Sequence, residues 1–141
     1  MKKITNNQLM VFAFMMLMAI IRIVMPTQSS LAALATFTPI GAMALYGGAY
    51  FKGYNRYIFP LLTLWLSDIM LNRFLYFGEW VFFYDGFLWT YGAFALMVIV
   101  GQFLLKKVNV VNFISSVLLI TFIHWIVTDL GVFLGGTMYP M

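Results

Sequence analysis

At 141 residues the chain is sized for one domain, and its makeup excludes an ordinary soluble one. Hydrophobic residues make up 64% and charged residues 9%, where soluble domains carry about 25% charged residues. So few polar groups cannot cover a water-facing surface, and lipid must be the main solvent. The net charge of +4 comes from eight Lys and Arg scattered between apolar runs, which does not suggest a nucleic-acid surface. The absence of cysteine excludes disulfides and thiolate metal sites.

Lys2 and Lys3 precede a first apolar run, Leu9 to Met25, closed by Pro26. A basic start before apolar residues also describes a secretory signal peptide, and the small residues from Ser30 to Ala35 offer cleavage positions. The run is long for a signal core of roughly 7–15 residues, however, and Arg22 interrupts it, so it is expected to stay as the first membrane helix. The following loop, Pro26 to Thr36, is polar only at its start. Its Leu31-Ala32-Ala33-Leu34 piece is expected to lie on the membrane or fold over a neighbour.

A second run, about Phe37 to Phe51, is short and rich in small residues. The turn-forming segment Lys52-Gly53-Tyr54-Asn55-Arg56 separates it from a third, Tyr57 to about Asn72. The segment from Arg73 to Asp85 is dense in aromatics, including Phe74, Tyr76, Phe77, Trp80, Phe82, Phe83 and Tyr84. It reads as an interfacial aromatic belt or as the lid or wall of a ligand site. The fourth run, about Gly86 to Leu105, stops at Lys106-Lys107. The fifth, about Val111 to Leu134, ends at Gly135-Gly136. The expected fold is therefore all-α: a single domain over residues 1–141, a polytopic bundle of about five transmembrane helices (9–25, 37–51, 57–72, 86–105 and 111–134).

Loop charges set the expected orientation. With the N-terminus in the cytoplasm, Lys2, Lys3, Lys52, Arg56, Lys106 and Lys107 all lie inside, and only Arg22 and Arg73 lie outside. The chain is accordingly expected to be a multi-pass protein of the cell inner (plasma) membrane.

Ionisable groups inside spans are costly and tend to face a bundle interior or a wet cavity. In the third run Trp65, Asp68 and Asn72 share a face at spacings of three and four. In the fifth, Thr121, His124 and Thr128 form one stripe, and Trp125 and Asp129 the adjacent one. The orientation places these residues, with Arg22, from mid-membrane outward. The candidate substrate-binding set is thus Arg22, Trp65, Asp68, Asn72, His124, Trp125, Thr128 and Asp129. The alternative is that Arg22 pairs with Asp68 or Asp129 only to hold the bundle. A lone His is a weak metal signal, no nucleophile–base arrangement is visible, and no cofactor motif is present; neither an enzyme, a metal nor a cofactor is expected. The small residues Gly41, Ala42, Ala44, Gly48 and Ala49, and the Gly131–Gly135 pair, permit close helix approach, within the monomer or against another membrane subunit.

The segments Phe37 to Phe51 (FTPIGAMALYGGAYF), Phe59-Pro60-Leu61-Leu62 leading to Leu66-Ser67-Asp68, and Thr128-Asp129-Leu130-Gly131-Val132 resemble an uncharacterised family of small bacterial integral membrane proteins, over roughly residues 20–140. That family is similar, more distantly, to the S components of energy-coupling-factor (ECF) vitamin transporters. The resemblance implies a helix bundle with an outward-facing small-molecule site that docks onto a transmembrane coupling subunit with ATPases. It also implies six helices; five runs are counted here, so a sixth C-terminal helix is expected to be missing from this chain. The alanine docking motif of many S components is not evident between Leu9 and Met25. The N-terminal His of metal-transporting relatives has no counterpart after Met1-Lys2, which argues against nickel or cobalt.

The expected function is a substrate-binding subunit of a small-molecule uptake transporter. The alternatives are a structural or accessory membrane subunit, and a proton-coupled carrier or membrane enzyme using His124 and Asp129.

Overall fold

The computed structural model describes residues 6–24 and 32–135. The described residues form five α-helices and no strand: α1 (Asn6–Val24), α2 (Ala32–Tyr50), α3 (Asn55–Leu71), α4 (Phe87–Leu104) and α5 (Val110–Gly135). A wide π-helical turn, Asn72–Tyr76, extends α3 without a break. Three segments are long and apolar enough to cross a membrane: Asn55–Tyr76, Phe87–Leu104 and Val110–Gly135. Leu9–Val24 is a shorter apolar helix. The all-helical bundle and its count of five agree with the hydropathy reading.

Most boundaries move by one to three residues, each for a local reason. Gly86 was expected inside the fourth helix; it caps it instead, with a left-handed φ of 85°, a conformation that glycine adopts without steric cost. Asn109 caps α5: its Oδ1 accepts the Asn112 backbone N–H at 2.7 Å. Gly53, φ 61°, turns the chain between α2 and α3. The larger difference is at α2, which begins five residues before Phe37 and runs on through Pro39. Residues 32–36 were expected in the loop, yet the helix carries them, and Pro39, expected inside the run, does not interrupt it. Residues 25–31, most of the first expected loop, and residues 136–141 lie outside the described residues.

Helices α2 and α4 form the centre, with α1 and α3 packed on α2 and α5 mainly on α4. Small residues make this contact close. A Cβ on Gly48 would meet the backbone of Val98 and Gln102, and one on Gly101 would meet the backbone of Leu45. The small face of α2 is therefore spent inside the monomer. Met15, Met43, Leu64, Phe94 and Val98 fill the fully buried core around it. Gly131 is likewise used internally, beneath the Trp89 ring, whereas Gly135 has open space around it.

Contacts between helix ends define two poles. Tyr57, at the start of α3, donates to Gln102 Oε1 at the end of α4 (3.3 Å). At the other pole Arg22 of α1 meets Asp68 of α3, Tyr91 near the start of α4 reaches the same Asp68, and Trp89 packs on Gly131 of α5. Consecutive helices thus alternate in direction. One pole carries Lys52, Arg56, Lys106 and Lys107; the other carries the aromatic connection from Arg73 to Asp85.

Candidate functional site

At the aromatic pole Arg22 projects from the last turn of α1 into the bundle. Its Nη1 lies 2.5 Å from Asp68 Oδ1 and donates to Ser67 Oγ at 2.6 Å. The Ser67 hydroxyl donates in turn to the Leu64 carbonyl at 2.7 Å. The other carboxylate oxygen, Asp68 Oδ2, accepts the Tyr91 hydroxyl at 2.9 Å. The Arg22 and Asp68 side chains are 12% and 6% exposed, so this is a charge pair largely withdrawn from solvent. Such a pair is tolerated only when both partners are present and their remaining polar atoms are bonded, and among the described residues no buried side-chain nitrogen or oxygen lacks a partner.

The same face of α3 holds the connection above it. Trp65 Nε1 donates to the Phe82 carbonyl at 3.1 Å, and Asn72 Nδ2 donates to the Val81 carbonyl at 3.0 Å. Two side chains seven positions apart, on either side of Asp68, therefore clamp one short piece of backbone, and the connection folds back along α3. Trp65 also lies against the Phe82 and Phe83 rings, and Phe83, Phe87 and Tyr91 continue the aromatic series downward. Tyr84 is half-buried within this cover; burial is the main cause that holds its phenol above the ordinary range. Phe74, Tyr76, Phe77, Trp80, Phe82 and Phe83 remain exposed, as rings of an interfacial belt would be. Arg73 lies 5.7 Å from the Trp80 ring centre, a cation–π distance. The connection thus exposes rings on its outer side and is bonded to α3 on its inner side.

The eight expected site residues divide into two groups. Arg22, Trp65, Asp68 and Asn72 come together as described. The four from α5 do not join them, because α5 packs on α4 and α2. His124 is half-buried and lines a cavity of about 50 Å³ with Ile40, Gly41, Met97, Val117, Ile120 and Thr121. Thr128 turns its hydroxyl onto the His124 carbonyl at 2.6 Å, and Thr121 does the same to Val117 at 2.8 Å. Trp125 and Asp129 are exposed on the far side of α5. The two stripes on α5 are distinct, as spacing implied, but one faces the bundle and the other faces away from it.

Residues 2–141 match a family of unknown function (DUF6580). The chain belongs to that family. This agrees with the uncharacterised family suggested by the motifs and extends it over nearly the whole chain. No curated protein and no solved structure matches the chain.

For this DUF6580 member, sequence reasoning missed two ligands of the charge pair. Ser67 stood beside Asp68 but was left out of the candidate set; Arg22 reaches both because they are sequence neighbours on a buried part of α3. Tyr91 was missed altogether. Its only signal was its place among Trp89, Thr90 and Tyr91, the polar-tipped start of an otherwise apolar helix.

Proposed function

We propose that this protein is a membrane-embedded binding subunit for a small polar molecule, serving uptake, with its site at the aromatic pole around Arg22 and Asp68. One observation carries the reading. An Arg–Asp pair, with Ser67 and Tyr91 bonded to it, lies buried in an apolar bundle directly beneath a connection folded back over α3. Ionisable residues inside a membrane bundle are expensive and mark ligand or ion sites by default. The pair offers both a cation and an anion, and Trp65, Asn72 and Tyr84 supply neighbouring polar tips under an aromatic cover. Loop charge orients the site: with the Lys and Arg pole in the cytoplasm, the pair lies in the outer half of the membrane. The motifs resemble a family that is itself distantly similar to S components of energy-coupling-factor vitamin transporters, and that distant similarity supports the same class and a coupling subunit as partner.

The test is purification from its native membrane, mass spectrometry of bound small molecules, and thermal unfolding with a vitamin panel. A ligand should be retained and should raise the unfolding midpoint. Asp68→Asn should weaken that stabilisation at least tenfold in ligand concentration while the ligand-free protein stays folded. A folded wild-type protein that holds nothing and responds to nothing would overturn the reading.

A second reading has its own observation. Every buried polar atom among the described residues is already satisfied internally, as in a bundle held together by its charge pair. Arg22 and Asp68 variants lose stability under either reading; in this one there is no ligand effect to lose, and the protein is an accessory membrane subunit.

A further inference from the structure

We infer that the outward face of α5 docks a transmembrane helix of another polypeptide, and that this helix carries an arginine or lysine opposite Asp129. The surface is distinct from the Arg22–Asp68 site and does not depend on that site binding anything.

Of the eighteen-residue apolar stretch in each candidate span, 44% is buried in the α3 span, 33% in α4 and 11% in α5. An apolar helix facing lipid needs no partner, so exposure alone says nothing. Asp129 changes that. It stands on the exposed side of α5 in a shallow patch formed with Trp125, Ile126, Leu130 and Phe133. Among the described residues the one ion pair is Arg22–Asp68, and no hydrogen bond or ion pair reaches the Asp129 carboxylate.

Depth makes this costly. Val110–Gly135 has 26 residues, about 39 Å at 1.5 Å per residue, against a hydrocarbon core of about 30 Å. A centred α5 sets Asp129 about 5 Å inside the edge of that core. Aspartate lacks the long stem with which lysine and arginine reach the interface. Charged groups at such positions turn toward protein or pair with an opposite charge. Among the described residues no Lys or Arg is placed to do so: Arg22 is bonded to Ser67 and Asp68, and Arg73 stacks on Trp80 and bonds Gly78 in the connection. His124, five residues back on α5, lines the cavity on the bundle side and feels the Asp129 charge only through space, with no hydrogen bond or ion pair between them. A second copy would bring aspartate against aspartate across a two-fold contact on this face. Charge complementarity therefore selects a different helix with a basic side chain that meets Asp129 between Trp125 and Phe133.

The experiment places the donor-labelled full chain in phosphatidylcholine vesicles with acceptor-labelled leucine–alanine peptides of about 21 residues, long enough to span. One peptide carries a single arginine about six residues from its end and the other carries leucine there. Energy transfer to the arginine peptide should reach half-maximum at a peptide-to-lipid ratio at least tenfold lower than for the leucine peptide. Asp129→Asn should abolish that difference, and Asp129→Arg should transfer the preference to a peptide with glutamate at the same position. Asp129 is exposed, so these variants should keep the wild-type unfolding midpoint. Equal transfer to both peptides, or a preference that survives Asp129→Asn, overturns the proposal. So does self-association of the wild-type chain that exceeds its association with the arginine peptide at equal dilution, since a second copy would then be the occupant.

Discussion

Arg22 Nη1 lies 2.5 Å from Asp68 Oδ1, and this contact ties the last turn of α1 to the C-terminal part of α3 across 45 intervening positions of sequence. Because both side chains are largely buried, removing one strands the other. Asp68→Ala should therefore destabilise the protein by about 3–5 kcal/mol. Replacing both members, as in Arg22→Met with Asp68→Leu, should recover much of that loss, since an apolar pair leaves no uncompensated charge. Tyr91→Phe removes only one hydrogen bond to Asp68 and should cost about 1 kcal/mol. Reversible unfolding in mixed detergent, run as a double-mutant cycle, measures all three. An Asp68→Ala loss no larger than that of Tyr91→Phe would mean that the pair is solvated.

Two glycines of α4 should respond to alanine in opposite ways. At Gly101 a Cβ would lie 2.8 Å from Leu45 Cα and 3.0 Å from Leu45 C, both backbone atoms that cannot rotate aside. Gly101→Ala should force α2 and α4 apart and cost about 1–3 kcal/mol. At Gly92 no atom lies within 4 Å of the added carbon, so Gly92→Ala should be neutral or should stabilise the helix by up to about 1 kcal/mol. Unfolding midpoints of the two variants, compared side by side, give the sign directly.

The connection should loosen selectively when its clamps are cut. Asn72→Ala removes the donor to the Val81 carbonyl, and Trp65→Phe removes the donor to the Phe82 carbonyl. Each should cost about 1 kcal/mol. The sharper readout is local: backbone amide exchange across residues 79–86 should accelerate, while exchange in the centres of α2 and α4 stays at the wild-type rate. Uniform acceleration through the whole chain would show that these side chains support the bundle rather than the connection.

The legibility of the fold and of the site differed for physical reasons. Five apolar runs bounded by Pro26, Gly53, Gly86 and Lys106-Lys107 are a length signal, and length survives without any knowledge of packing. The start of α2 was obscured because residues 32–36 follow the polar start of the loop and end in Thr36, a weak helix former on its own, and in a bundle tertiary context overrides propensity. On α3 the spacing of Trp65, Asp68 and Asn72 was enough, because a polar face on an apolar helix must turn inward. On α5 the same logic failed. That helix is apolar nearly all round, so spacing said which residues share a stripe but not which stripe faces the bundle. Ser116, Ile120 and Gly131 form the buried side, and Gly131 is inside because the Trp89 ring fits only over a residue with no side chain. Tyr91 was invisible for a simpler reason: an uncharged aromatic in an aromatic-rich chain carries no sign of the carboxylate it meets.

The proposed membrane orientation rests on the two poles and can be read in intact cells. The pole formed by the α2–α3 and α4–α5 turns carries Lys52, Arg56, Lys106 and Lys107, whereas the opposite connection carries Arg73 beside Glu79 and Asp85. Positive residues in short loops are retained in the cytoplasm, so Glu79→Cys should react with a membrane-impermeant maleimide in whole cells, and Lys52→Cys and Lys107→Cys only after permeabilisation. The chain has no native cysteine, so each label reports one position without background. Glu79, Lys52 and Lys107 are all exposed, which keeps the substitutions clear of packing. The reverse labelling pattern would place the Arg22–Asp68 pair in the cytoplasmic half. A site there could not capture a molecule from outside the cell, and the uptake reading would fall even if a ligand were bound.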